Sequence, residues 1–314
     1  MQISSPRELL ASIPHILGFQ PSNSVVVIAL DDDEVVAAVR ADIDVVRIAM
    51  VEPLLGALGT TNDGNLVVVY YANDYQSTEE WQVELSQVLT LPVLDYLLVT
   101  QNHWKSLLCH DVECCPIDGH PLNSGTEIMD AFLVFNGSAP FRTREELVNS
   151  LMPNEVDETT RKSIEQSFAV NPSSDPAAEH QWIVELLKSA NSWSVEQLGR
   201  VCVALTDFHV RDAVLRSAYD NPKLRSTLKI ALHTNISMVP VEFVAPSITV
   251  LAGCAWLDGN GVLANVAIAR ALEVDGSYSL AQLLDRALAH GVPPHVWADS
   301  LAAVSMERCL AGAA

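Results

Sequence analysis

The spacing of apolar residues switches repeatedly in the first half of the chain and settles in the second. Between Pro6 and Leu17, the residues Leu9, Leu10, Ile13, Ile16 and Leu17 recur at helical spacing on one face. Ser5 fits the N-cap, Pro6 the first helical position and Gly18 a left-handed stop, so a helix is predicted there. Val25 to Leu30 is a continuous apolar run, β-branched at four of its six positions, as in a strand covered on both faces. Asp31-Asp32-Asp33 predicts a turn, and Val35 to Ala41 the returning strand.

The alternation continues. Val45 to Leu58 reads as a helix, Leu66 to Tyr71 as another buried strand, and Thr78 to Leu89 as a helix with Ser77 as its cap and Glu79 and Glu80 in its first turn. Leu94 to Thr100 and Trp104 to Leu108 read as strands joined by a turn at Gln101-Asn102-His103. Strands alternating with helices make an α/β layer fold, and two hairpins make its sheet mixed. Cys109 to Asn123 is irregular; helices follow over Thr126 to Phe135, Phe141 to Leu151 and Asp157 to Val170.

Asn171 to Ala178 (NPSSDPAA) lacks apolar periodicity and reads as a linker. Beyond it only helical patterns occur, from Gln181 through a last one over Pro294 to Leu310. The expected architecture is a mixed α/β domain over residues 1–170, followed by an all-α domain over 179–314. Within the latter, Leu251 to Leu284 resembles a tetratricopeptide unit. Small residues at Ala252, Ala264 and Ala271 would let two helices approach closely, and Gly259 would make the turn. Gly276 departs from that pattern, which has proline there.

Composition narrows the class. Hydrophobic residues make up 49% of 314 residues, enough for a real core. Asp and Glu number 39 against 18 Lys and Arg, a net charge of -21 that repels phosphate backbones and anionic lipid. No nucleic-acid partner is expected. The most apolar later window, Phe243 to Leu257, is shorter than the roughly 20 residues that span a bilayer. The opening residues carry no basic segment followed by an apolar one. The expectation is a soluble cytoplasmic protein off the membrane, with its six cysteines reduced.

Two constellations are candidates for chemistry. Cys109, Cys114 and Cys115, with His103, His110, Asp111 and His120 nearby, offer thiolates and imidazoles at short spacing. The paired C-x2-C knuckles of zinc sites are missing, so the expectation is no metal and no cofactor, with reduced cysteines packing a loop. Zinc, or a reversible disulfide from Cys109 to Cys114 or Cys115, is the alternative. The second set is Arg7, Glu8, His15, Asn23, Asp42 and Arg142, which could gather at one end of the sheet, where α/β proteins bind ligands. Local electrostatics explains them better: Arg7 and Glu8 fall in the first turn of a helix, His15 near its end, and Asp42 at the end of a strand. Asp207 and Arg211, spaced i, i+4, read as a structural ion pair. No phosphate-binding loop, nucleophile elbow or H-E-x-x-H occurs.

Four blocks taken together, ELLASIPHILGFQPSNSVVVIAL, WKSLLCHDVECCP, LTDFHVRDAVLR and GNGVLANVAIARAL with YSLAQLLDRALAHGVPPHVW, resemble the actinobacterial family catalogued as a domain of unknown function (DUF4192). The resemblance implies an actinobacterial cytoplasmic protein and brings no established activity. From the residues, the expected function is a protein-interaction or self-assembly module. The alternative is an enzyme, such as a hydrolase, with a site at the sheet ends using Arg7, His15, Asp42 and Arg142.

Overall fold

The computed structural model describes residues 3–44, 64–73, 75–122, 140–154, 158–170, 172–189 and 193–311. The helices expected over 45–58 and 126–135 lie outside them. The chain divides into two compact units, Met1–Arg144 with Ala289–Gly291, and Glu145–Leu288 with Val292–Ala314.

The first unit is built on a six-stranded sheet. Its strands are β1 (Ser24–Asp31), β2 (Glu34–Asp42), β3 (Asn65–Tyr71), β4 (Val93–Val99), β5 (His103–Ser106) and β6 (His120–Pro121), in the order β2-β1-β3-β4-β5-β6. Only β3 and β4 run parallel, because helix α2 (Glu79–Val88) crosses between them; every other neighbouring pair is antiparallel. The sheet is therefore mixed, as the alternating pattern predicts.

Asp32 and Asp33 take φ of 44° and 65° in the β1–β2 turn, the primed geometry that matches the twist of a hairpin and that aspartate tolerates. On one face of the sheet Val25, Val27, Ala29, Val68 and Tyr70 form a core with Trp81 and Leu85 of α2. The alternate positions Val26, Ile28 and Val69 are equally buried, which is why these strands read as unbroken apolar runs.

Helix α1 (Pro6–Leu17) begins and ends as its sequence predicts. The Ser5 hydroxyl accepts from the Glu8 N–H, and Gly18 sits at φ 78°. The Ile3 N–H donates to the Asp33 carbonyl at 2.8 Å, so the start of α1 lies beside the β1–β2 turn. After α1, Phe19 makes a parallel bridge with Phe141: the Phe141 N–H donates to Gly18 and the Gln20 N–H to Phe141. Ser77 is not the cap of α2. It falls inside the 3-10 turn Gln76–Thr78, and Thr78 takes the N-cap position with its hydroxyl bonded back to the Tyr75 carbonyl.

The second unit is helical among the described residues: α3 (Arg144–Asn149, whose first residue falls in the first unit), α4 (Glu158–Phe168), α5 (Pro176–Ser189), α6 (Val195–Ala204), α7 (Phe208–Asp220), α8 (Pro222–Asn235), α9 (Val241–Leu257), α10 (Gly261–Val274), α11 (Ser279–Ala289), α12 (Pro294–Ala302) and α13 (Met306–Ala311). Helix α9 is its axis. Every residue from Val244 to Trp256 is buried, and α6, α7, α8, α10 and α12 all pack on it. Gly253 admits α12, whose Trp297 indole N–H donates to the Gly253 carbonyl and whose ring stacks on Trp256.

Three sequence expectations change here. The last helical stretch is two helices, with Ser305 capping the second through the Arg308 N–H. The 171–178 segment lies inside the second unit: α5 begins at Pro176, and α4 packs on α6 so closely that a Cβ at Gly199 would stand 2.2 Å from the Ser167 carbonyl oxygen. Asp207 caps α7 through the His209 N–H, while Arg211 bonds Asp212 and the Tyr278 hydroxyl.

Candidate functional site

Among the described residues, Cys109, Cys114 and Cys115 bring three sulfurs within 4.8 Å of one another in the loop between β5 and β6. The loop is pinned along its length. Ser106, the last residue of β5, donates its hydroxyl to Asp95 Oδ1 at 2.6 Å and accepts from the N–H groups of Leu108 and Cys109 at 3.1 and 3.0 Å. Burial raises the Asp95 carboxyl, against the pull of the Ser106 hydroxyl and the Tyr96 amide.

Asp111 then starts a single helical turn. Its carboxylate accepts from the Glu113 N–H at 2.9 Å, and its carbonyl accepts from the Cys115 N–H at 2.6 Å. Successive side chains on such a turn are about 100° apart. Cys114 and Cys115 therefore flank one point, where on a strand they would face opposite ways. Gly119, at φ 78°, brings the chain back. A Cβ there would stand 2.7 Å from the Trp104 carbonyl oxygen, so the approach requires glycine. His120 stacks on Trp104 with ring centres 4.6 Å apart, and its Nε2 lies 2.9 Å from the Cys114 carbonyl oxygen.

The three thiols are electrostatically unequal. The Asp111 amide donates to the Cys109 sulfur, and the thiols of Cys115 and Cys114 add to it, so Cys109 is drawn below the ordinary thiol value. Burial pushes Cys115 up to about 11, and its hydrogen bond to Cys109 reinforces this; the Ser106 amide opposes it. The two shifts run in opposite directions, which makes Cys109 the more acidic of the pair. Three apolar side chains on the same loop face solvent: Leu108, Val112 and Ile117 are 48%, 62% and 82% exposed.

The second sequence-derived set is divided between the two ends of the sheet. Arg7 and Glu8 lie in the first turn of α1, at the end that carries the Asp32-Asp33 turn. Glu8 is committed to the Ser4 amide and hydroxyl at 2.8 and 2.6 Å. His15, in the last turn of α1, shares the opposite end with Asn23, Asp42 and Arg142: Asp42 pairs with Ser24 at the start of β1, and Arg142 follows the Phe141 bridge. Arg40 bonds Asp42 and stacks over Phe19, Asn23 bonds Asp44, and both His15 and Arg142 have partners of their own. Arg7 and His15 are eight residues apart on one helix, about 12 Å of rise.

Elsewhere, a shallow hollow of about 400 Å³ in the helical unit is lined by Val241, Glu242, Pro246, Val274, Asp275 and Tyr278. It holds carboxylates but no nucleophile paired with a base. The most buried charge, Glu179, is structural. It accepts two bonds from Arg200 and one from the Ser173 amide, and Arg200 stacks on Trp182 at 3.9 Å. Sequence reasoning missed Ser106, Asp95 and Gly119 as builders of the thiol loop. Ser106, three residues before Cys109, carried a signal, since a hydroxyl at that offset caps the amides that follow it.

The chain belongs to the family described as a domain of unknown function (DUF4192), whose model matches residues 6–295. No curated protein and no solved structure matches it.

Proposed function

We propose that this family member is a cytoplasmic protein-binding module whose docking element is the loop between β5 and β6. The observation that carries the reading is the exposure of Leu108, Val112 and Ile117 on a loop whose backbone is pinned by its own hydrogen bonds. A rigid apolar projection loses little conformational freedom on binding. Asp111, Glu113 and Asp118 lie on the same loop, and the chain carries a net charge of -21. That charge disfavours a second copy of the chain and favours a partner segment with apolar residues flanked by Lys or Arg.

The helical unit serves this reading as a scaffold. Its α9–α10 hairpin packs small residues at Ala252, Ala264 and Ala271, the feature that resembles a tetratricopeptide unit. Its first helix is covered on all sides, which suits the axis of a bundle better than one wall of an open groove.

The test compares capture from native lysate by the full chain and by a Val112→Glu, Ile117→Glu double variant whose circular dichroism is unchanged. Proteins retained by the first, released by salt and absent from the second support the reading. Equal capture by both overturns it.

A further inference from the structure

We propose that Cys109, Cys114 and Cys115 form a three-thiolate site for a thiophilic divalent ion, zinc by chemical class, with the fourth corner taken by water or by the exposed His110. The inference goes beyond the docking reading, since it needs no partner and concerns the sulfurs rather than the apolar side chains.

Three observations carry it. All three sulfurs lie within 4.8 Å of one another, close enough for a single ion to reach each of them. The sulfurs are held by a frame already in place: the Ser106–Asp95 bond, the Asp111–Cys115 turn and the Gly119 approach to Trp104. A disulfide would use two sulfurs and leave the third without purpose, whereas an ion uses all three. The chain's other cysteines, Cys202, Cys254 and Cys309, are buried and not part of the cluster, so convergence is specific to this loop.

Binding replaces thiol protons with the metal. The ion enters as the hydrated dication and each coordinating thiol releases its proton to solvent, with no change of oxidation state. The three negative sulfurs then face a positive centre instead of each other. Three thiolates discriminate against hard cations such as Mg2+ and Ca2+, which the acidic surface would attract without selectivity.

The experiment uses the full chain, reduced and freed of metal with a chelator. Zn2+ is titrated in excess Mg2+ with proton release recorded, and Co2+ serves as a spectroscopic probe. The expected result is stoichiometric zinc, a thiolate-to-cobalt charge-transfer band, and a tetrahedral visible spectrum. Affinity should fall at least tenfold in each of Cys109→Ser, Cys114→Ser and Cys115→Ser, and stay unchanged in Cys309→Ser. Circular dichroism of every variant confirms the fold. Zinc binding that Mg2+ abolishes, binding that survives all three loop substitutions, or a cobalt spectrum without sulfur bands would overturn the site. These outcomes leave the docking reading standing, and equal partner capture by the full chain and the Val112→Glu, Ile117→Glu variant overturns that reading while leaving the metal site standing.

Discussion

The chain uses cysteine in two opposite ways. In the helical unit Cys202 and Cys254 are fully enclosed between helices and Cys309 is nearly so, each filling space as a small apolar group. Burial pushes Cys202 and Cys254 up to about 12, so they stay protonated and inert. In the sheet unit Cys109, Cys114 and Cys115 are grouped on a loop and reachable from solvent. The difference is one of placement. A cysteine enclosed by helix packing is held by its neighbours' volume; a cysteine on a pinned turn is held by backbone hydrogen bonds, which leave its sulfur free for chemistry.

Thiol labelling gives the largest expected contrast. After chelator treatment, an alkylating reagent should modify Cys114 and its two neighbours in the folded protein. The three cysteines of the helical unit should react only through unfolding, on the order of a thousandfold more slowly. Intact-mass spectra over time read this directly. Labelling of all six at one rate would erase the contrast.

Packing in the helical unit should be far less forgiving than the loop. Gly199→Val drives a side chain into the Ser167 carbonyl and should cost about 3 kcal/mol or more, measured by urea unfolding. Ala264→Trp, at a fully buried position between α9 and α10, should cost about 2–3 kcal/mol. Val112→Ser, on the exposed loop, should change stability by less than about 0.5 kcal/mol. Glu179→Ala removes one partner of a pair whose other member is a third exposed, and should cost about 2 kcal/mol, below the range for fully buried pairs.

The smallest expected effect is with pH. Burial lowers His180, bonded to Ser217, and His233, bonded to Ser150, below the ordinary histidine value. The unfolded chain therefore binds protons that the folded one refuses, and stability should decline as pH falls through about 6.5. Burial alone would raise Glu179, but Arg200 and the Ser173 amide hold it below the ordinary carboxylate value. A second, steeper loss should appear as pH falls through the carboxylate range. Melting temperatures across the acid range measure both steps, and His180→Gln should flatten the first.

Much of the sheet was legible because strands covered on both faces cannot afford a polar position: Val25 to Leu30 and Leu66 to Tyr71 announce themselves. β6 was not legible, being two residues long with a proline in it. The ends of α1 were legible because Ser5 caps one and Gly18 stops the other, whereas the start of α2 was not, since it begins through a 3-10 turn. The thiol cluster escaped the spacing rule because that rule describes knuckles with two intervening residues. Here adjacent cysteines converge through a helical turn and meet a third from across the loop. The sheet-end set is divided, with Arg7 and Glu8 at the other end from His15, Asn23, Asp42 and Arg142, because α1 separates Arg7 from His15 along its own length, which residue types alone do not reveal.

The Phe19–Phe141 bridge has a consequence for how the first unit assembles. It joins two segments that flank nearly the entire sheet in sequence, so its loop-closure entropy is repaid only after the strands between them have paired. The Gln20 and Phe141 amides, both committed to this bridge, should therefore gain protection from hydrogen exchange late in refolding.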